Sequence, residues 1–575
     1  MRLAGLQLAD VDHVGYSFDP WRFLAGRLGG ERISLPLQPS AQAMPGWENP
    51  WDPLFASYIV NAPRQLADGA PHHLRERFGG VTAQGPYRFH FVDHHLAHQA
   101  SAFLAAPFDE CAVLTLDGRG EWASTTYGAY AGGRYCALGE VRVPHSLGLL
   151  YEAATRHLGF LHSSDEYKVM ALAAFGEPRM ADALLEHIDV GDDGSYRIAP
   201  IDFERLAGAP RRRGVALDQR HLDLAASLQS ALEQTVLRLV RWLRAASGQR
   251  RLALAGGVAL NCVMNAKLRD AGVFDDIWIQ PAAGDAGTAL GAALLVDACA
   301  TVGGLRIGAS TDVPVSPQLS SLFRSTSPSP ASASASAPAQ SHSQSQSQSQ
   351  WLQQSLPLPP RRWRMRHAYL GPGYEDAEIE TLLRWAKLDC RRVDDMLLAA
   401  ARMLAEGRVL GWYQGRMEFG PRALGARSIL ASPIDAGMQA RINELKDRED
   451  FRPVAPAVPE ERFADWFTPP ARGDSGAAFM LFVHEVRPEQ ARRIPAACHH
   501  DRSARVQAVS RSAHPQFHAL LEAFGRLTGV PVLINTSFNV RGEPIVCTPK
   551  DALDAFFSTP LDALAIGPFL LEKPR

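Results

Sequence analysis

The chain has 575 residues, of which 46% are hydrophobic and 21% charged, and its formal net charge is −2. This length favours three or four structural units, and the near-neutral charge argues against a nucleic-acid-binding scaffold. Seven scattered cysteines without C-x-x-C spacing argue against a disulfide framework and a thiolate zinc site. Neither a signal-peptide pattern nor an apolar run of membrane-spanning length is found. We therefore expect a cytoplasmic protein with no nucleic-acid or membrane partner.

The predicted elements of the first half alternate between strands and helices. An extended run at 87–93 precedes a helix-prone segment, and an apolar run at 112–116 indicates a buried strand. Apolar residues at helical spacing predict an amphipathic helix over 223–243. A further strand at 251–255 runs into paired glycines and another helix. Strand, turn and helix in series predict an α/β fold.

A change in composition from residue 316 to residue 360 separates two folded parts. Ser, Pro, Ala and Gln dominate this stretch, and such sequences bury too little apolar surface to fold. We therefore predict a disordered linker at 316–360. Beyond it, 408–413 and 531–535 have the pattern of strands, with helical stretches and arginine-bearing turns between them. This pattern predicts a second α/β or α+β domain.

Three histidines in five residues, His94, His95 and His98, follow the first predicted strand. His94 and His98 are four residues apart, so on a helix their imidazoles lie on one face, a geometry that suits two ligands of one metal ion. Asp117 and Asp285, at a strand end and in a glycine-flanked turn, are candidate carboxylate ligands. Such a set suits Fe²⁺, Mn²⁺ or Zn²⁺ without selecting among them. Taken alone, a histidine pair at this spacing is more often hydrogen-bonded than metal-bound.

Two glycine turns, at Gly256-Gly257 and at Gly284, precede predicted helices. Glycines there would let main-chain N–H groups at a helix start face a phosphate, and Asn261 belongs to the first of these motifs. Close packing of a strand on a helix is the alternative interpretation. Neither turn matches the Walker A or dinucleotide-binding pattern. Lys168 is a further candidate phosphate ligand, although a lone lysine is more often a surface residue.

The densest group of polar residues lies in the second half of the chain. Arginines among glycines at 415–428 precede a charged stretch at 443–452, then Arg505 and an Asn/Ser-bearing stretch at 535–544. Guanidinium groups bind phosphate and carboxylate bidentately, and glycines leave room for a ligand. The alternative is a set of structural ion pairs with the acids Glu418, Glu444 and Glu449. We favour anion binding, because these arginines lie on turns rather than on regular helix faces.

Six segments together resemble the carbamoyltransferase family that includes the nodulation-factor, cephamycin and tobramycin O-carbamoyltransferases. They are 94–98, 116–118, 166–170, 256–261, 415–428 and 535–544. The resemblance extends to Gly567, and its arginine-rich segment is highly specific. It implies an α/β protein with two modules. Residues 1–315 would form a Kae1-like domain of the actin/Hsp70/sugar-kinase fold, and residues 361–575 a YrdC-like α/β domain.

The resemblance also implies the chemistry. The YrdC-like domain would use ATP, with Mg²⁺, to activate carbamoyl phosphate to a carbamoyl-adenylate. The Kae1-like domain would hold a divalent metal and nucleotide and transfer the carbamoyl group to a hydroxyl of a small-molecule or glycan-like acceptor. The sequence does not specify the acceptor, and the resemblance leaves a homodimer open.

Site residues are assigned from the positions that match the family motifs. By this resemblance the metal ligands are His94, His98, Asp117 and Asp285, with Fe²⁺ expected. The predicted catalytic residues are Lys446 and Arg448, which match a K-x-R motif, and Arg505. The predicted cofactor-binding residues are Lys168, Gly256, Gly257, Asn261, Gly284, Arg416, Arg422, Arg452, Ser537 and Asn539.

The start of the chain departs from the family pattern. Family members open with a strand, a His-Asp-Ser-Ala segment, a hairpin and a Glu-Glu-Arg-Phe stretch, whereas residues 1–14 resemble the segment that comes after those elements in the family. The Kae1-like domain would therefore lack its first strands, which belong to the centre of the sheet. We expect a misassigned start, with the opening encoded in frame upstream. The alternative is a homologue that activates carbamoyl phosphate but is impaired in transfer.

A tRNA-modifying threonylcarbamoyl system, which shares both modules, is a third possible function besides the carbamoyltransferase and the transfer-impaired homologue. Fusion of the modules in one chain and the absence of a basic RNA-binding track argue against it. A requirement for threonine and bicarbonate would identify that system. The carbamoyltransferase and its transfer-impaired homologue would both release AMP and pyrophosphate in a reaction that depends on carbamoyl phosphate.

Overall fold

A computed structural model describes residues 2–6, 10–20, 22–23, 59, 88–301, 356–359, 361, 363–471 and 477–573. Most of the predicted linker, 316–355 and residue 360, lies outside these residues. None of the described helices combines the length and apolarity that a membrane span requires.

The described strands, in chain order, are β1 His13–Tyr16, β2 Arg88–Phe91, β3 Cys111–Leu116, β4 Ala123–Ala131, β5 Arg134–Arg142, β6 Ile188–Val190, β7 Tyr196–Ile198, β8 Arg251–Ala255, β9 Asp276–Ile279, β10 Leu356–Pro357, β11 Arg391–Arg392, β12 Leu410–Tyr413, β13 Arg427–Ala431, β14 Ala455–Pro459, β15 His484–Glu485, β16 Ser503–Ala504, β17 Gln507–Val509, β18 Leu533–Ser537, β19 Ala563–Ile566 and β20 Phe569–Glu572. The described α-helices are α1 His94–Phe103, α2 Leu147–His157, α3 Glu166–Leu172, α4 Ala181–Leu185, α5 Phe203–Ala207, α6 Gln219–Ser247, α7 Cys262–Asp270, α8 Ala286–Thr301, α9 Asp376–Trp385, α10 Met396–Ala405, α11 Met438–Leu445, α12 Phe463–Trp466, α13 Pro488–Ala491, α14 Pro515–Thr528 and α15 Pro549–Ser558.

The chain forms two compact units, each assembled from separate segments. The described residues of 1–148, 243–258 and 283–364 form unit 1, and those of 149–242, 259–282 and 365–575 form unit 2. Part of the predicted first domain therefore groups with the C-terminal half. Compactness does not identify a fold family, so the Kae1-like and YrdC-like assignments and the boundaries 1–315 and 361–575 stay predictions. The mixed α/β class itself is confirmed.

Unit 1 is built around a sheet in which five of its strands hydrogen-bond in the order β10-β5-β4-β3-β8. The parallel pair β3 and β8 lies next to antiparallel neighbours. Helices α1 and α8 pack closely, because a Cβ added at Gly291 would lie 1.8 Å from the carbonyl oxygen of Ala97. This close approach brings the turn before α8 to the first residues of α1, where the predicted metal ligands are.

The described end of the predicted linker is a strand rather than a disordered segment. Strand β10 pairs with β5, Leu356 is buried, and Leu358 donates to the carbonyl oxygen of Gly133 at 2.8 Å. Further along, the Arg361 guanidinium donates to the carbonyl oxygen of Phe103 at 2.9 Å and so caps the end of α1. Residues 356–359 and 361 are therefore part of unit 1.

Unit 2 contains a mixed sheet in the order β11-β20-β19-β12-β13-β18-β14-β17. Successive residues of one strand enter different buried clusters, as period-two alternation requires. Tyr413 packs with Ile442 and Phe556 on one face, while Trp412 packs with Phe517 and other residues of the opposite face. Helices thus cover both faces of the sheet, and polar side chains can lie on the turns at the strand ends.

The strands and helices predicted from the pattern of apolar residues are confirmed. The run at 112–116 lies in β3, every residue of which is buried. The amphipathic segment 223–243 lies within α6, and 251–255 is β8. The predicted strands at 408–413 and 531–535 correspond to β12 and β18, each of which starts two residues later than predicted.

Candidate metal centre and anion-binding site

Four predicted metal ligands converge in unit 1, and no other such group is found among the described residues. His94 and His98 lie on the buried face of α1, Asp117 follows β3, and Asp285 precedes α8. Their ligand atoms all lie within 4.8 Å of one another. The Nε2 atoms of the two histidines are 3.1 Å apart, and that of His94 lies 3.5 Å from Asp117 Oδ2 and 3.6 Å from Asp285 Oδ1.

This geometry fits a divalent metal ion. Ligand bonds of about 2.0–2.2 Å place neighbouring donor atoms roughly 3–3.5 Å apart, which is close to the separations found here. Two imidazoles and two carboxylates form the mixed donor set that iron, manganese and zinc accept. The Asp285 side chain is 80% exposed, whereas the other three are buried. The exposed carboxylate marks the side from which a ligand can approach.

Charges within the cluster favour an ionised Asp117. Burial by itself would raise the pKa of Asp117, but the hydrogen bond from His94 and the charges of His98 and His94 lower it below its usual range. Burial likewise opposes a charged His94, yet Asp117 raises the pKa of this histidine to about 9. Asp117 is thus held as a carboxylate, the form that binds a metal ion.

His95, the third histidine of the motif, is not part of the cluster. Its side chain is buried, and its Nδ1 lies 3.3 Å from the Thr126 hydroxyl. Burial lowers the pKa of His95 to about 3. It is therefore a neutral residue of the core.

The glycines of the first predicted phosphate turn hold Asp117. The Gly257 N–H donates to Asp117 Oδ1 at 2.7 Å, which leaves Oδ2 directed at the histidines. Gly256 has a φ of +93°, and a Cβ there would lie 2.1 Å from the Leu116 carbonyl oxygen. Close packing and a hydrogen bond to a carboxylate thus explain both glycines. Gly284 lies in the turn before α8, where its carbonyl accepts from Gly287.

A second cluster, which we call the cationic cluster, lies in unit 2. It consists of the basic residues Arg422, Lys446, Arg448, Arg452 and Arg505. Lys446 ends α11 and donates to Asn539 Oδ1 at 2.7 Å, and the Ser537 hydroxyl donates to the same oxygen at 2.7 Å. The lysine of the K-x-R motif is therefore in direct contact with the predicted cofactor-binding residues Ser537 and Asn539.

Burial, followed by repulsion between neighbours, disfavours the charged forms of the cationic cluster. Burial and the neighbouring arginines Arg448 and Arg452 lower the pKa of Lys446 well below its ordinary value. Burial, Arg452 and Arg505 lower that of Arg448 in the same way. Within the described part of the chain, Arg422 Nε, Arg448 Nη2 and Arg505 Nε are buried and have no hydrogen-bond partner. Buried cationic donors without partners are costly to maintain, and an anion would satisfy both the charge and the hydrogen bonds.

Structural ion pairs, the alternative to anion binding, account for little of this charge. Glu418 accepts main-chain N–H groups instead, from Leu424 and Ala426 at 2.7 Å. Glu444 is exposed. Glu449 lies 2.9 Å from Lys168 and 3.8 Å from Arg452, so it offsets only part of the cluster's charge.

Three predicted cofactor-binding residues have other contacts. Lys168 forms ion pairs with Asp165 at 3.1 Å and with Glu449. The exposed Arg416 donates to the carbonyl oxygens of Leu370 and Gly371, at 2.6 and 3.0 Å. Asn261 caps α7 by accepting from the Met264 N–H at 2.9 Å and also donates to Gln229. These contacts give each residue a structural role, and a direct contact to a cofactor remains a prediction.

Two residues of the sites were not predicted. Glu121 is buried and accepts the main-chain N–H of His94 at 3.0 Å. Asn443 is buried beside the cationic cluster, where it accepts from Arg448 Nε at 2.6 Å and donates to the Arg452 carbonyl at 3.0 Å. Each of the two lies close in sequence to a predicted site residue, and that proximity was the available signal. Sequence spacing does not show, however, that a side chain is buried.

Comparisons with known proteins cover most of the chain. Residues 82–294 match the family model described as Carbamoyltransferase N-terminus, and residues 401–573 match Carbamoyltransferase C-terminus. The uncharacterized protein sll1178 of Synechocystis is 40% identical over 525 residues, which cover 84% of this chain and 76% of that protein. Nodulation protein NolO of Bradyrhizobium diazoefficiens is 38% identical over 493 residues, which cover 84% of this chain and 79% of that protein.

Similarity to solved structures is weak. A crystal structure of full-length HypF in a phosphate- and nucleotide-bound form is 17% identical, covers 32% of this chain and 22% of that chain, and has a TM-score of 0.22. The family assignment therefore depends on the sequence matches to both halves and on relatives aligned over most of their length. On these matches, the chain belongs to the carbamoyltransferase family of enzymes.

Proposed function

We propose that the protein is an ATP-dependent O-carbamoyltransferase. The cationic cluster of unit 2 binds carbamoyl phosphate and ATP, and the product of their reaction is a carbamoyl-adenylate. The metal centre of unit 1 serves transfer of the carbamoyl group to a hydroxyl of a small-molecule or glycan-like acceptor. The observation that carries this proposal is the set of buried guanidinium nitrogens without hydrogen-bond partners, on Arg422, Arg448 and Arg505, within the region that matches the carbamoyltransferase C-terminus.

The proposed activation has two chemical parts. Water releases phosphate from carbamoyl phosphate and leaves carbamate. A carbamate oxygen then bonds to the α-phosphorus of ATP and displaces pyrophosphate. Arg448 and Lys446 stabilise the negative charge that develops on the phosphoryl oxygens, since charge-assisted donors in a buried site act strongly on such charge. Mg²⁺ accompanies the ATP.

The proposed transfer breaks the bond between the carbamoyl carbon and the adenylate oxygen. The acceptor oxygen forms the new bond to that carbon, its proton passes to water, and AMP leaves as the second product. His94, His98, Asp117 and Asp285 would hold a divalent ion, for which Fe²⁺ is our proposal. When bound, such an ion supplies Lewis acidity toward a carbonyl oxygen. The chain's own contribution is the fixed orientation of the four donor atoms.

Pyrophosphate release tests the activation step. Purified protein with ATP, Mg²⁺ and carbamoyl phosphate should release pyrophosphate, and omission of carbamoyl phosphate should abolish the release. The Lys446→Met variant should lose about 100-fold or more of this rate, because a buried side-chain donor is removed. The matched control is Lys550→Met, which changes an exposed lysine paired with Asp554 and should keep the full rate. Equal rates for the two variants would contradict the proposal.

A further inference from the structure

Glu121 holds the start of the helix that carries the two histidine ligands. It lies in the turn between β3 and β4, only four residues after Asp117, and its carboxylate is buried. One carboxylate oxygen accepts the main-chain N–H groups of both His94, at 3.0 Å, and Asp19, at 2.6 Å.

The segment after β1 fixes the His94 ring. His94 Nδ1 lies 3.2 Å from the main-chain carbonyl oxygen of Ser17. A carbonyl oxygen only accepts, so Nδ1 must carry a proton, and in the neutral ring, the form that binds a metal ion, the lone pair is on Nε2, the atom that faces the other donors. The Thr288 hydroxyl donates to the Ser17 hydroxyl at 2.6 Å and so links this segment to α8. Glu121, through Asp19, anchors the other end of the same segment.

Packing leaves the His94 ring little freedom to compensate. A Cβ added at Gly120 would lie 2.8 Å from His95 Cδ2 and 3.3 Å from His94 Cδ2. Asp93, the residue before His94, accepts from the Leu96 N–H at 2.8 Å and so caps α1, and it pairs with Arg22 at 2.6 Å. The hydrogen bonds of Glu121 therefore act on a backbone that is otherwise tightly packed, and their loss would displace the metal-binding atoms.

We propose that Glu121 is a positioning residue that sets the affinity of the His94/His98/Asp117/Asp285 centre for its divalent metal. It touches no metal-binding atom and acts through the main chain of His94 and the segment 17–19. This inference depends on the metal assignment in the proposed function, but not on the carbamoyl chemistry.

Metal titration of the full-length, metal-free protein tests the inference. Calorimetric titration with Mn²⁺ alone should show a dissociation constant 10–100-fold higher for Glu121→Met than for the unchanged protein, the range typical of groups that orient metal ligands. Glu121→Gln keeps an oxygen that can accept both N–H groups and should stay within a few-fold of the unchanged protein. The matched control is Glu140→Met, which removes a carboxylate paired with Arg22 and Arg142. It should also bind Mn²⁺ normally.

Each outcome decides the inference. An unchanged Mn²⁺ affinity in folded Glu121→Met would overturn it, as would equal losses in Glu121→Met and Glu140→Met, or a parent protein that binds no Mn²⁺. If Glu121→Met does not fold, Glu121→Asp replaces it, because the shorter side chain cannot reach both N–H groups and should also weaken binding. Pyrophosphate release measured on the same samples separates the two proposals. Its absence from every sample, with Mn²⁺ affinity lowered selectively in Glu121→Met, would contradict the carbamoyl chemistry and leave this inference standing.

Discussion

One carboxylate oxygen of Asp117 faces the Nε2 atom of His94 in the metal centre. The other accepts a hydrogen bond from the Gly257 N–H at 2.7 Å. The preceding Gly256 makes this contact achievable, because its left-handed backbone and lack of a Cβ let the turn approach the end of β3. The orientation of Asp117 therefore depends on a glycine turn in which Gly257 lies 140 residues later in the sequence.

We expect Gly256→Ala to destabilise the protein strongly. An alanine at φ +93° is strained, by about 1–2 kcal/mol in the left-handed region, and its Cβ would also clash with the Leu116 carbonyl oxygen. The control is Gly132→Ala, also at positive φ but with no atom within 4 Å of the added Cβ. Thermal unfolding followed by circular dichroism should show a clearly lower melting temperature for Gly256→Ala. Equal melting temperatures would show that the close approach is not needed.

Individual site residues differ in how well the sequence predicts them. The four-residue spacing of His94 and His98 on a helix predicts a shared face without further information. The glycine-flanked turn made Asp285 a candidate carboxylate, but its assignment as a ligand beside His94 and His98 came from the family resemblance, because the histidines lie almost 190 residues earlier. Glu121 was missed for a related reason: its partners are main-chain N–H groups, which every residue type carries.

The loop between α11 and β14 is the element on which the cationic cluster depends. It carries Arg448 and Arg452, and its shape is set from the preceding helix by Asn443. This buried amide accepts from Arg448 and donates to the carbonyl oxygens of Asp450 and Arg452, at 2.9 and 3.0 Å. Three hydrogen bonds of this one side chain therefore fix the loop, which has no regular secondary structure.

Asn443→Leu should disorganise this loop. The substitution leaves Arg448 Nε and the Asp450 carbonyl oxygen without this partner, at a cost on the order of 1–3 kcal/mol for each group that stays buried. The Arg452 carbonyl oxygen loses one of two donors and keeps Gln439 at 3.1 Å. We expect a lower melting temperature and an affinity for inorganic phosphate reduced at least about tenfold, both measurable by calorimetry. Glu444→Ala, at the adjacent exposed position of α11, is the control and should change neither. Unaltered phosphate binding in Asn443→Leu would exclude the loop as an anion site.

Elements with a strong apolar period were predicted well, and those held by polar contacts were not. Strand β3 and helix α6 follow directly from runs and stripes of apolar residues, because burial of one face decides their structure. The short strand β10 was assigned to a disordered linker, since two residues beside a Ser/Gln-rich stretch carry no such signal. Its pairing with β5 and the capping of α1 by Arg361 are tertiary contacts that only the folded chain displays.

At the scale of the whole molecule, each candidate site lies in one compact unit. The metal centre belongs to unit 1 and the cationic cluster to unit 2. Composition predicted two parts joined by a linker, but contacts place 149–242 and 259–282 with the C-terminal part. The chain therefore returns to each unit more than once. No composition change marks those crossings, so the sequence could not have predicted them.

The central claim is that activation and transfer use separate sites. The most direct test is carbamoyl-phosphate-dependent exchange between ATP and labelled pyrophosphate, which needs no acceptor. We predict that His98→Ala, which removes a metal ligand, retains the exchange rate of the unchanged protein, as should the control His162→Ala at an exposed histidine. Lys446→Met should lose the exchange. Loss of exchange in His98→Ala equal to that in Lys446→Met would contradict the account.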